Sequence, residues 1–164
     1  MLRLLTGFSF PGAPDPAVQL QPAGFDLTVA AVAAFSNVGT LDFDNTQRRL
    51  PALREIPWLY AGRPLRLEPG GYLLTYNEQI SVPPDAAGIV LPRSSLMRCG
   101  AALHSALWDP GYSGRGQGLL TVTAPLELHP NARVGQFILV ALEQAAQKLY
   151  EGQYQGENLA ARAG

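Results

Sequence analysis

Residues 70–84 read GGYLLTYNEQISVPP. Gly70–Tyr76 is rich in aromatic and aliphatic side chains, Asn77 is a turn former, and Pro83 and Pro84 stop the short apolar run that follows. This is the pattern of two strands joined by a tight turn. The same punctuation continues outward. Gly88–Leu91 is a short apolar run ended by Pro92, and from Leu120 the chain alternates, with Leu120 and Val122 on one face and Thr121 and Thr123 on the other. Phe137–Leu142 is continuously apolar and short enough for a strand buried on both faces. Only Thr28–Phe35, which is Ala-rich without a polar face, and Glu143–Leu149 read as helical. The chain has 17 glycines and 14 prolines, and charged residues make up 15%, against a usual ~25%. Disorder, a coiled coil and a long helical bundle are all disfavoured. At 164 residues the chain is about the size of one domain. The expectation is an all-β domain over residues 1–149 with one or two short helices, followed by a tail over 150–164.

Charge excludes several classes of partner. Twelve basic residues against 13 acidic ones leave a net charge of -1. Bulk attraction to nucleic acid or an anionic membrane is therefore not expected. All the basic residues except Lys148 are Arg, whose planar fork suits phosphate and carboxylate, although an Arg-favouring genome gives the same bias. Cys99 is the only cysteine, which excludes an internal disulfide and a Cys-rich zinc site. No run approaches the ~20 apolar residues of a membrane span, and the start lacks a signal-peptide pattern, so a soluble, cytoplasmic protein is expected.

Most familiar catalytic patterns are missing. His104 and His129 have no metal-ligand spacing, and no His-x-Glu precedes a Cys-x-x-Cys, which excludes a zinc deaminase. There is no nucleophile elbow, and GRGQG at 114–118 lacks the Gly-Lys-Ser/Thr ending of a P-loop. Two clusters carry more. PRSSLMR at 92–98 sets two Arg and two hydroxyls directly after a strand, a set of donors for phosphate oxygens. WDPGY at 108–112 sets a carboxylate before a Pro-Gly turn with an aromatic ring three residues on, suited to a pocket edge. The tail from Tyr150 is rich in Gly, Gln and Tyr and reads either as a frayed end or as a segment that orders over a ligand.

RSSLMR, GAALHSALWDPGYSGRGQG, ARVGQF and YEGQYQGE, preceded by QPAGFDLTVAAV, LDFDNTQRRLP and LEPGGYLLTYNEQISVP, resemble the successive motifs of the dCTP deaminase/dUTPase superfamily, most closely its archaeal-type dUTPase branch. The resemblance covers roughly residues 20–158. It implies a distorted jelly-roll of β-strands, or β-clip, assembled as a homotrimer with sites between subunits. It implies that Arg93, Ser94, Ser95, Arg98 and Gln136 contact the phosphates, and that Asp109 contacts the deoxyribose and activates the attacking water. Tyr112 would lie under the sugar, where a 2′-hydroxyl clashes. Gln117 joins the substrate contacts, while Tyr150, Tyr154 and Gln155 belong to a segment that closes over the nucleotide. Asp26 falls in the first motif, whose role is more structural.

Departures from the pattern separate two activities. The family's deaminases keep a Glu in the strand after the DPG turn to shuttle a proton between water and the base. Here that strand reads LLTVTAP, and no acid occurs between Asp109 and Glu127. The Gly-rich, Arg- and Phe-bearing tail of ordinary trimeric dUTPases is also absent. The resemblance then implies hydrolysis of dUTP to dUMP and pyrophosphate. Mg²⁺ would be held mainly by the triphosphate, and uracil would be read by the backbone of a hairpin over Ala101–Leu107. A dCTP deaminase or bifunctional enzyme, and a non-catalytic nucleotide-binding paralogue, are the alternatives.

Overall fold

A computed structural model describes residues 5–7, 16–58 and 62–159. The chain opens with β1 (Leu5–Gly7), the short α1 (Pro16–Gln19) and β2 (Leu20–Gln21), and continues into the long β3 (Gly24–Phe35). An arm over 36–52 leads to β4 (Leu53–Glu55), β5 (Leu65–Leu67), β6 (Gly70–Tyr76), β7 (Gln79–Ser81) and β8 (Ala86–Pro92). After α2 (Ser94–Arg98) come β9 (Ala101–His104), β10 (Ser113–Gly114), β11 (Gln117–Val122), β12 (Leu126–Leu128) and β13 (Arg133–Ala141).

The main sheet runs β8-β13-β3-β6-β11-β9, with β2 and β4 adding to β3. Every neighbouring pair in it is antiparallel. It curls until β8 approaches β9, and an antiparallel bridge between Gly88 and Trp108 nearly closes it. The remaining strands form two smaller sheets, β1-β7-β10 and β5-β12. Among the described residues no helix is long and apolar enough to cross a membrane.

The expected strands at 70–76, 79–81, 88–91, 120–122 and 137–141 are all present. Both segments read as helical are not. Thr28–Phe35 lies within β3, whose first six residues are all buried and which has sheet neighbours on both edges. A strand covered on both faces has no polar face, so it looks like a buried helix in sequence. Thr28, Val29 and Val32 are the β-branched residues that favour the strand. Glu143–Leu149 is an irregular strap instead of two helical turns. Its backbone is held from outside: Leu142 N–H donates to Asp85 O (2.9 Å) and Ala146 N–H to Pro84 O (2.8 Å).

Phe25, Leu27, Leu74, Tyr76, Leu120 and Phe137 fill the space inside the curl. A polar knot lies against them. Glu78, in the turn between β6 and β7, has no exposed surface. Its carboxylate accepts from Thr28 N–H (3.0 Å), Thr28 Oγ1 (2.6 Å) and Gln19 Nε2 (2.8 Å), tying α1 and β3 to that turn. Burial pushes the Glu78 carboxyl above its ordinary range, and the Thr28 and Gln19 donors pull it back. Glu78→Ala takes the acceptor from three buried donors and is expected to cost about 3 kcal/mol. The check is the urea unfolding midpoint, and an unshifted midpoint would show that the knot adds nothing to stability.

Candidate functional site

Asp109 is displayed by a rigid turn. Tyr112 N–H donates to Asp109 O (3.1 Å), and the corner between them is Pro110–Gly111 with Gly111 at φ 86°. Proline fixes the first corner and only glycine adopts the second easily, which is the chemistry of a type II turn. On its other side Trp108 is clamped to β8 by two bonds with Gly88 (2.8 and 2.9 Å). The half-buried Asp109 therefore stands at the mouth of a cleft of about 110 Å³, lined by Leu107, Tyr112, Gln117, Tyr150, Tyr154 and Glu157 among others.

The floor of the cleft is aromatic. The rings of Trp108 and Tyr112 meet edge-on at 5.1 Å, Trp108 meets Phe137 at 5.3 Å and Tyr112 meets Tyr150 at 5.8 Å. The floor explains GRGQG. From Tyr112 to Val122 the even-numbered residues are buried and the odd-numbered ones are not, so strand alternation runs straight through the motif. Gly116 and Gly118 are on the inner face. A Cβ on Gly116 would stand 2.4 Å from the Trp108 ring, and one on Gly118 would stand 2.3 Å from Tyr76 Oη. These glycines leave room for the outer edge of the Trp108 ring and for the Tyr76 hydroxyl beside the backbone, and neither has a left-handed φ.

The tail folds back onto this turn. Tyr150 N–H donates to Pro110 O (2.8 Å), Gly156 N–H to Ser113 O (2.8 Å) and Arg115 N–H to Glu157 O (3.0 Å). Gln155 uses both ends of its amide, accepting from Ser113 N–H and donating to Gly111 O (each 2.9 Å). Arg48 of the 36–52 arm donates to Gln153 Oε1. Gln117 Nε2 donates to Thr75 Oγ1 (3.0 Å), so its side chain bridges β11 and β6 at the cleft wall. Residues 160–164 of the expected tail lie outside the described residues.

Arg93, Ser94, Ser95, Arg98 and Gln136 gather elsewhere. Ser94 and Ser95 open α2 with their side chains exposed, and Arg98 closes it. Arg93 Nε pairs with Asp26 at 3.1 Å and Arg133 Nη1 with the same carboxylate oxygen at 3.2 Å. Asp26 is 2% exposed, and burial raises its pKa while the two guanidiniums oppose the rise. Gln136 sits on β13 in register with Asp26 on one side and Leu91 on the other. Arg93 directly follows β8, whereas Trp108 bridges to Gly88 near the start of that strand. Five extended residues put about 16 Å between the two ends. One chain thus carries two separate clusters: Asp109, Tyr112, Gln117, Tyr150 and Tyr154 at one end of β8, and the Arg-Ser group with Gln136 at the other. Gln155 belongs to neither and holds the tail.

The clusters differ in charge. The charged residues lining the first are Asp109 and Glu157, and no cation lines it among the described residues. The second presents Arg93 and Arg98. His104 and His129 are exposed and line neither. On β11 the positions are Gln117, Gly118, Leu119, Leu120, Thr121 and Val122, with no carboxylate.

Residues 11–142 match the profile of the dCTP deaminase-like family. The chain belongs to this family. Among curated members, the "probable deoxyuridine 5'-triphosphate nucleotidohydrolase" of Aeropyrum pernix is 41% identical over 142 residues, covering 85% of this chain and 87% of its own. The protein of the same name from Methanosarcina mazei is 38% identical over 148 residues, covering 89% and 86%. A dCTP deaminase from Agrobacterium tumefaciens, solved by crystallography, shares the fold with a TM-score of 0.56 at 19% identity. The match covers 78% of this chain and 42% of that longer one. The all-β jelly-roll expected of a dCTP deaminase-like chain is thus the fold observed. Sequence reasoning passed over two side chains that the clusters contain. Arg133 lay inside the quoted ARVGQF and Glu157 inside YEGQYQGE, but neither string says that one faces Asp26 and the other Tyr112.

Proposed function

We propose that this protein hydrolyses dUTP to dUMP and pyrophosphate in sites built from two copies of the chain. The observation that carries the reading is the combination of Asp109 on a rigid turn with a neighbouring strand, β11, that has no carboxylate. Deamination of cytosine without zinc needs a proton shuttle at the base, and Thr121 and its neighbours cannot act as one. The names of the archaeal relatives support the same activity.

The division of charge suggests how the nucleotide lies. A polyanion is disfavoured in a cleft whose charged groups are two carboxylates, so the cleft takes the sugar and base. The phosphates go to Arg93, Ser94, Ser95, Arg98 and Gln136. Because the two clusters are some 16 Å apart along β8, the phosphate-binding group is supplied by a second copy, in keeping with a closed cyclic trimer. An apolar groove formed by Phe35, Leu50, Leu53 and Leu73 adjoins the cleft at Gln117 and Tyr154 and gives that copy a surface to cover.

Asp109 orients a water toward the α-phosphorus and takes its proton as the new P–O bond forms. The bond to the bridging oxygen breaks and pyrophosphate leaves, its charge offset by Arg93, which Asp26 holds in place. Tyr112 and Trp108 wall the sugar side and exclude water from it. Mg²⁺ would neutralise phosphate charge. The ion would be liganded chiefly by phosphate oxygens.

Incubation with dUTP and with dCTP, each with Mg²⁺, separates the readings. dUMP and pyrophosphate should form from dUTP, and no deoxyuridine nucleotide from dCTP. Deamination at a rate comparable to dUTP cleavage would overturn the proposal, as would binding without turnover.

A further inference from the structure

The tail is seated on its own chain, and one residue in it is unlike the rest. Across 151–159 every residue is exposed except Glu157, which is half-buried and lines the Asp109 cleft. Its flanking residues turn it inward: Gly156 and Asn158 both have left-handed backbone, at φ 73° and 56°. Glycine and asparagine are the residues that adopt this conformation at least cost. Asn158 Nδ2 then donates to Arg115 O (2.8 Å), fixing the knuckle from its far side. At its tip Glu157 Oε1 accepts from Tyr112 Oη at 2.9 Å.

We propose that Glu157 is a positioning residue, which latches the tail over the Asp109 cleft of its own chain and in doing so fixes the Tyr112 ring. The Tyr112 ring has Trp108 edge-on at one side and Tyr150 at the other, and a Cβ on Gly114 would stand 2.7 Å from its hydroxyl. Packing sets the plane of the ring, and the hydroxyl sets its last degree of freedom. Tyr112 is only 6% exposed, so its O–H requires an acceptor inside the fold. Glu157 supplies it, and a charge-assisted bond of this kind is stronger than a neutral one. The tail's other hydrogen bonds to residues 110–115 are made to backbone groups and not to the Tyr112 hydroxyl.

Admission and selection follow from the one contact. Sites for small ligands usually have several hundred Å³, and the latched cleft has about 110 Å³. A nucleoside therefore enters when the tail lifts, and relatching returns Tyr112 to the position from which it bars a 2′-hydroxyl. The sugar-selecting part of this inference rests on the dUTP reading above, while the latch does not.

Hydrogen exchange across residues 150–158 in the nucleotide-free full-length protein tests the latch, using wild type, Glu157→Gln and Glu157→Ala. Glutamine retains an acceptor oxygen and should keep the tail protected, whereas alanine should speed exchange by about tenfold. The second readout is kcat/KM for dUTP relative to UTP, which should fall by about tenfold in Glu157→Ala, chiefly through a lower KM for UTP, and be restored in Glu157→Gln. Unchanged tail exchange in the alanine variant overturns the latch. A faster tail with unchanged sugar preference overturns the positioning of Tyr112. If wild type cleaves no dUTP, the functional proposal fails, and the exchange result still decides the latch.

Discussion

Asp109→Asn should reduce kcat for dUTP by at least about 10²-fold, with nucleotide affinity little changed. The substitution preserves size and shape, and Asp109 takes part in the local backbone through its carbonyl, which accepts from Tyr112 N–H. The turn, held also by Pro110, Gly111 and the clamp of Trp108 on Gly88, should therefore survive. What the amide cannot do is accept the proton of the attacking water. Steady-state kinetics combined with binding of a non-hydrolysable dUTP analogue separates these effects. A near wild-type kcat would remove Asp109 from the chemistry, and a lost affinity with unchanged kcat would make it a binding group only.

Mixing two inactive variants should restore activity. Arg93→Gln removes the guanidinium proposed to bind phosphate but leaves Asp26 paired with Arg133, so the fold around the buried carboxylate should be kept. Alone, Arg93→Gln and Asp109→Asn assemblies should each be nearly inactive. If each site takes Asp109 from one copy and Arg93 from the next, random co-assembly at equal amounts leaves roughly one site in four with both groups intact. Unfolding and refolding the two together should then recover roughly a quarter of wild-type activity. A mixture no more active than its components would place both groups of a site in the same copy.

How much of this was legible in the sequence depended on the range over which each feature is determined. Strand punctuation is local, and the two strands flanking Asn77 and the alternation at Leu120 were readable from neighbouring residues alone, although those two strands enter different sheets. The strand at Thr28–Phe35 was not, because its identity comes from neighbours on both edges and both faces, none of them close in sequence. The strap at Glu143–Leu149 was misread for a related reason: its backbone partners, Pro84 and Asp85, lie some sixty residues upstream. In the candidate site, Arg93, Ser94, Ser95 and Asp109 stood out by residue type and spacing. The distance between the two clusters did not, since Arg93 and Asp109 are only sixteen positions apart in the chain and lie toward opposite ends of a strand. Glu157 was hidden because an acidic residue in a polar tail looks like any solvated one until Tyr112 is found facing it.

The close approach of aromatic side chains to Gly116 and Gly118 also constrains how the protein can change over time. Trp108 is clamped and 6% exposed, so its ring cannot withdraw from a side chain added at Gly116, and the same holds for Tyr76, with no exposure, above Gly118. A substitution at either glycine is tolerable only after the ring above it has already become smaller. Shrinking the ring first leaves a void, which carries its own cost. Each pair is therefore a two-step barrier with a poorer intermediate on either route. On either side of Gly116, Arg115 and Gln117 belong to the opposite face of the alternation and are free of this restriction. Among related chains the motif should accordingly vary at alternate positions, with Gly116 and Gly118 departing only in company with positions 108 and 76.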